Sequence, residues 1–110
     1  MSSYADQLDA TGLVTAILEK TRAGKLKWEE TADEEVFIAS VGGNTTLKVS
    51  RDASSRYYQS ALSLLDENGK VILVSSEPES MLDELFTLAR RIALKVDERV
   101  DRLMETLQKL

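Results

Sequence analysis

The side chains in this chain that could most readily take part in catalysis or metal binding are carboxylates, and several of them lie in one short stretch. The members of this acidic stretch are Glu29, Glu30, Asp33, Glu34 and Glu35. Carboxylate oxygens suit hard cations such as calcium, but a calcium loop needs regularly spaced ligands and a glycine at its sharp turn. The stretch has neither feature. We therefore interpret it as a solvated turn whose charges keep edge strands from pairing with other chains.

Most other catalytic chemistry lacks its usual residues here. The chain contains no histidine and no cysteine, which removes the commonest general base, the commonest metal ligand and the thiolate nucleophile. It also has no nucleophile-elbow serine, no phosphate-cradling loop and no dinucleotide fingerprint. A carboxylate mechanism would need a general-acid partner that the sequence does not indicate. We predict a non-enzymatic protein with no metal and no cofactor.

A second set of residues suggests binding rather than catalysis. Its members are the basic side chains Lys25, Lys27, Lys48, Arg51 and Arg56, with Tyr57 beside them. Basic sheet faces with aromatic residues bind single-stranded nucleic acid, so the alternative function is a nucleic-acid or small-ligand binding module that uses the exposed sheet face. The formal net charge of −5 opposes nucleic-acid binding and favours a solvated face. Trp28 is assigned to core or sheet packing rather than to a ligand platform.

Hydrophobic periodicity and turn residues predict an α+β fold in the order α-β-β-β-β-β-α. The first helix is predicted over 3–23 with Ser3 as its cap, and its regular part begins near Asp9 or Thr11. The five predicted strands cover 25–29, 35–41, 45–51, 56–66 and 71–75. Tight turns after the second and fourth strands favour an antiparallel five-stranded meander, with the N- and C-terminal helices packed on one face.

The last third of the chain is predicted to form one helix over 77–110. The segment has no glycine, and Ser76 with Glu79 resembles a capping box that places Pro78 in the first turn. At about 1.5 Å per residue such a helix is roughly 50 Å long. A compact domain of this size is only about 34 Å across. The helix should therefore project beyond the sheet.

The projecting part of this helix stays apolar on one side, which predicts an interface. Its apolar side chains are Val96, Val100, Leu103, Met104, Leu107 and Leu110. Full burial of a valine or leucine contributes ~1.5–3 kcal/mol, and two-fold dimers are the commonest assemblies. We expect a homodimer through this helix. The alternative is that the overhang folds against the first helix of the same chain.

Length and composition indicate a single domain over 1–110, without linkers or repeats. No apolar run approaches the ~18 residues of a membrane span, and the polar, acidic start is not typical of a secretory signal. We expect a cytoplasmic protein of a bacterium or phage that contacts no membrane. Its expected partner is another protein, which it would bind as an adaptor, chaperone or inhibitor.

One run carries a resemblance. The segment 19–29 reads EKTRAGKLKWE, and strands and the turn Asp66-Glu67-Asn68-Gly69 follow it. This layout resembles small uncharacterised bacterial and phage proteins with a Lys-Thr-x-x-Gly-Lys-x-x-Trp-like start. The resemblance implies no activity, and no site residue is carried over from it. The size and acidity are also similar to those of type III secretion chaperones, but these have a helix between their third and fourth strands, for which 52–55 is too short.

Overall fold

Three helices and one five-stranded sheet make up the described part of the chain. The computed structural model describes residues 10–52 and 59–110. The helices are α1 (Thr11–Arg22), α2 (Glu79–Ala93) and α3 (Val96–Lys109). The strands are β1 (Glu29–Glu30), β2 (Val36–Val41), β3 (Thr45–Asp52), β4 (Gln59–Leu65) and β5 (Val71–Ser75). The predicted α+β class is confirmed.

The sheet is an antiparallel meander in the order β1-β2-β3-β4-β5, as predicted. Gly42 after β2 and Gly69 after β4 have φ angles of 68° and 80°, which glycine adopts without a clash of its Cβ. The Asp66 carboxylate accepts hydrogen bonds from the backbone N–H groups of Asn68 and Lys70 at 2.9 and 2.8 Å. Local turn chemistry therefore fixes both hairpins.

The core lies between one face of the sheet and the helices. Its buried apolar residues are Val14, Ile17, Leu18, Trp28, Phe37, Ala39, Leu47, Val49, Leu62, Leu82, Leu85, Phe86 and Ala89. Helix α2 crosses β1 to β4, and α1 packs against α2. Trp28 is 3% exposed, and its Nε1–H donates to the Thr21 hydroxyl at 3.1 Å. The assignment of Trp28 to the core is confirmed.

Two predicted boundaries can be compared with the structure. Helix α1 begins at Thr11, one of the two predicted starts of its regular part, while the predicted Ser3 cap lies outside the described residues. The predicted first strand over 25–29 is wrong except for its last residue, because only Glu29 and Glu30 pair with β2. These two residues are exposed, so the strand is held by its ladder hydrogen bonds rather than by apolar burial.

The predicted capping box before α2 is also wrong. Pro78 occupies the N-cap position in an extended conformation, and no side chain caps the helix. The Ser75 hydroxyl donates to the Glu77 carbonyl at 2.7 Å. The chain therefore turns at Ser75 as it leaves β5, and Ser76 is not placed to cap the helix.

The prediction of one continuous helix over 77–110 is wrong, because the helix breaks between Ala93 and Val96. Lys95 has φ 53° and ψ 45°, in the left-handed region. Its N–H donates to the Ile92 carbonyl at 3.1 Å, which closes the end of α2. A left-handed conformation costs a non-glycine residue about 1–2 kcal/mol.

Charges at the break offset this cost. Arg90 and Arg91 lie in the last turn of α2, and Asp97 and Glu98 lie in the first turn of α3. Each set has the sign that stabilises its helix end, since helix N-termini are partially positive and C-termini partially negative. The Arg91 guanidinium also spans the break and binds the Asp97 carboxylate with Nε···O 2.9 Å.

Helix α3 gives the molecule an elongated shape. Its radius of gyration is 16.0 Å and its longest dimension is 65 Å, whereas a compact chain of this length has a radius of gyration of about 13 Å. Within the two described ranges, no helix is both long enough and apolar enough to cross a membrane.

Candidate protein interface and arginine cleft

Helix α3 presents a row of apolar side chains to solvent. This row, the α3 stripe, comprises Val100, Leu103, Met104, Leu107 and Leu110. These side chains are between 49 and 94% exposed, and α3 has no buried residue. The valine and the leucines recur at intervals of three and four, which places them on one side of the helix. Val96, the sixth predicted interface residue, is half-buried at the start of α3.

Contacts among the described residues leave the α3 stripe uncovered. Of the described elements, α3 contacts α2 alone. Arg22 and Gly24, at the end of α1, share a groove with Asp97 and Glu98, in the first turn of α3. Helix α1 therefore approaches only the beginning of α3, and the alternative in which the overhang packs along α1 is wrong for the described residues.

The four described residues of the alternative binding site do not share one surface. Lys25 and Lys27 are exposed in the loop before β1. Lys48 is half-buried on β3, on the sheet face opposite the helices, because its neighbours on either side face the core. Arg56 and Tyr57 lie outside the described residues.

Arg51 faces the helices, which contradicts the expectation that it shares the outer face with Lys48. The two residues are three apart on β3, and successive residues of a strand point to opposite faces. The Arg51 guanidinium carbon lies 4.3 Å from the centroid of the Phe86 ring. Phe86 is itself fixed by an edge contact with Phe37, with 5.6 Å between ring centroids. The stacked contact contributes about 0.5–2 kcal/mol and orients the guanidinium.

Arg51 borders a cleft between β3, the C-terminal half of α2 and the start of α3. This arginine cleft has a volume of about 420 Å³. Its described lining residues are Arg51, Phe86, Thr87, Arg90, Arg91 and Val96. Three guanidinium groups thus meet an aromatic ring, and none of these lining residues is acidic.

The three arginines differ in their partners. Arg91 is paired with Asp97, with 2.7 Å between the closest nitrogen and oxygen. The described part of the chain contains one other ion pair, Arg22 with Glu84, so neither Arg51 nor Arg90 has a carboxylate partner there. The Arg51 Nε is buried and has no hydrogen-bond partner among the described residues. An unsatisfied buried donor costs about 1–3 kcal/mol.

Sequence reasoning did not group Arg90 and Arg91 with Arg51. The two helical arginines are far from Arg51 along the chain, and only the packing of α2 on the sheet brings them together. The alternation of side chains along β3 could have predicted one part of this arrangement, because it places Arg51 and Lys48 on opposite faces of the sheet.

A second apolar surface lies on the edge strand β5. Val71, Ile72 and Val74 are 46 to 60% exposed. Strand β5 pairs with β4 on one side, and no other described strand covers its second edge. Exposed edges of this kind accept added strands. The sequence prediction placed the strand correctly but did not identify this surface.

The acidic stretch lies mainly in the connection between β1 and β2. The Asp33 carboxylate accepts a hydrogen bond from the Glu35 N–H at 2.9 Å, and the Thr31 hydroxyl donates to the Val36 carbonyl at 2.9 Å. Across residues 10–52 and 59–110, no group of three or more acidic side chains is placed to hold a metal ion.

Comparison with known proteins identifies no relative of this chain. The chain matches no protein-family model, and neither the curated proteins nor the solved structures show a significant similarity to it. A functional assignment therefore depends on the geometry of the chain's own residues.

Proposed function

We propose that this chain is a non-catalytic protein-interaction protein that forms a homodimer through α3 and binds another protein as an adaptor, chaperone or inhibitor. The observation that carries the proposal is the α3 stripe, a continuous apolar surface on a helix with no buried residue. Amphipathic helices of this kind stabilise themselves mainly by packing against another surface.

An antiparallel two-fold pairing accommodates the spacing of the stripe. Val100 of one copy would lie against Leu103 of the other, and Val96 against Leu107. Each layer then contains one valine and one leucine, and each contact occurs twice, as two-fold symmetry requires. The antiparallel arrangement also places opposite helix ends side by side, which is favourable for their dipoles.

The expected strength of this dimer follows from the exposed area. Four of the five stripe residues are about half-exposed and Leu110 is 94% exposed. Burial therefore contributes at least ~1 kcal/mol for each side chain, or ~10 kcal/mol for the ten side chains of two copies. Association costs about 4–15 kcal/mol in lost translational and rotational freedom. We therefore expect an equilibrium that depends on protein concentration.

Light scattering on a sizing column, over a range of protein concentrations, tests the dimer. The wild-type mass should rise toward twice the chain mass of 12.2 kDa, whereas Leu103→Asp should stay at 12.2 kDa. Gln108→Asp is the matched control, since it adds the same charge on α3 outside the stripe. Far-ultraviolet circular dichroism checks that both variants keep the sheet. A dimer that survives Leu103→Asp would show that α3 is not the interface.

The basic sheet-face alternative has less support. Its described members lie in a loop, on the outer face and on the inner face, so they do not form one binding surface. Salt-sensitive binding of an oligonucleotide that is lost in Lys48→Ala would favour it over the protein-interaction proposal.

A further inference from the structure

The arginine cleft contains more positive charge than the described part of the protein neutralises. It is lined by Arg51, Arg90 and Arg91, and its described lining includes no acidic residue. Asp97 neutralises Arg91 from outside this lining. Arg51 and Arg90 belong to neither ion pair of the described residues. Asp83 accepts a hydrogen bond from Ser60, the strand neighbour of Arg51, but it is not part of the described lining and forms no ion pair with either arginine. Two guanidinium charges of the lining are therefore left without an ion-pair partner among the described residues, which suits a dianion.

The cleft also holds one of these charges in a fixed position. The Arg51 guanidinium stacks on the buried Phe86 ring at 4.3 Å, and its Nε is enclosed without a hydrogen-bond partner among the described residues. The arginine side chain has five N–H donors and no acceptor, so the remaining hydrogen-bond partners of this group must be acceptors. The terminal nitrogens of Arg51 are therefore the donors that can bind an anion in the cleft.

The donor type and the charge select the anion. Guanidinium groups bind carboxylates and phosphates through paired N–H···O bonds. A carboxylate has one negative charge and would leave one arginine unmatched, whereas a phosphate carries about −1.5 to −2 near neutral pH. The cleft volume of about 420 Å³ also leaves room for a group attached to the phosphate.

We propose that the arginine cleft binds a phosphate dianion, either as the free ion or as a phosphomonoester, between Arg51 and Arg90. Arg91 lines the site but is paired with Asp97, so it is not a main ligand of the anion. The site is separate from the α3 stripe, so it does not depend on dimerisation, although Val96 borders both regions.

Isothermal titration calorimetry of the full chain with inorganic phosphate tests this site, with sodium chloride holding the ionic strength constant. Wild type should bind saturably, and Arg90→Gln should weaken binding by about ten-fold or more, because a charge-assisted hydrogen-bond partner is lost. Arg90 is exposed, so its replacement leaves the core intact. Arg102→Gln is the matched control, since it removes the same charge from an exposed position on α3 and should leave binding unchanged.

Two further ligands identify the anion and its source. O-phosphoserine binding more tightly than inorganic phosphate would support a phosphomonoester, and the reverse order would support the free ion. Acetate binding as tightly as phosphate would overturn the assignment of a dianion. No saturable phosphate binding up to tens of millimolar, or equal weakening by Arg90→Gln and Arg102→Gln, would overturn the site itself.

Discussion

Two substitutions, Lys95→Gly and Lys95→Ala, should distinguish a broken helix from a continuous one. The two possibilities predict opposite orders for the free energies of unfolding of these variants. Lys95 is exposed and has a left-handed backbone, so any side chain with a Cβ is strained there by about 1–2 kcal/mol. Glycine removes this strain but loses about 0.5–1 kcal/mol through its greater flexibility in the unfolded chain. Lys95→Gly should therefore be more stable than Lys95→Ala by ~0.5–1 kcal/mol.

A continuous helix through position 95 predicts the opposite order. Glycine in a helix interior is about 1 kcal/mol less favourable than alanine. The difference is measurable, because 1 kcal/mol shifts the Tm of a domain of this size by about 4 °C. The variants are compared by thermal and urea unfolding, followed by far-ultraviolet circular dichroism at one protein concentration, since dimerisation makes the Tm depend on concentration.

A second pair of variants controls for the general effect of glycine. Thr87 is exposed in the middle of α2, the helix whose end Lys95 closes. Thr87→Gly should be about 1 kcal/mol less stable than Thr87→Ala. If Lys95→Gly is also less stable than Lys95→Ala, the left-handed break is refuted and the helix runs on as the sequence predicts.

Two further substitutions test local contacts. Thr21→Val removes the acceptor of the buried Trp28 Nε1–H and should lower the free energy of unfolding by about 1–3 kcal/mol, whereas Thr106→Val on the exposed α3 should change it by less than about 0.5 kcal/mol. Equal Tm values for the two would show that the Trp28 hydrogen bond contributes nothing. Ser76→Ala should change stability by less than about 0.5 kcal/mol, because no side chain caps α2. A loss of about 1 kcal/mol on urea unfolding would instead restore the capping box.

The sheet was predictable because its signals are local. Alternating apolar residues and two glycine turns define β2, β3 and β5 to within one residue of their observed ends. A positive φ is needed at Gly42 and Gly69 whatever the rest of the chain does, so the hairpins follow from a few neighbouring residues. Short hairpins then leave few topologies besides a meander.

The helix break was not predicted because its usual marker is missing. Position 95 is a lysine, and a left-handed helix end normally carries glycine. The remaining local signal is the change from Arg90 and Arg91 to Asp97 and Glu98, which suits one helix ending and another beginning. Each such charge is worth only about 0.3–1 kcal/mol, so the pattern alone does not outweigh an unbroken run of helix-forming residues.

The sequence by itself determined the α+β class, the antiparallel strand order and the apolar side of the last helix, because each rests on the spacing of neighbouring residues. Only the tertiary structure decided that Arg51 lies against Phe86, that Arg90 and Arg91 join it in one cleft, and that α3 leaves its stripe in solvent. These outcomes depend on where α2 crosses the sheet and on how the chain turns at Lys95. Both are set by packing between residues far apart in the chain, which no local pattern encodes.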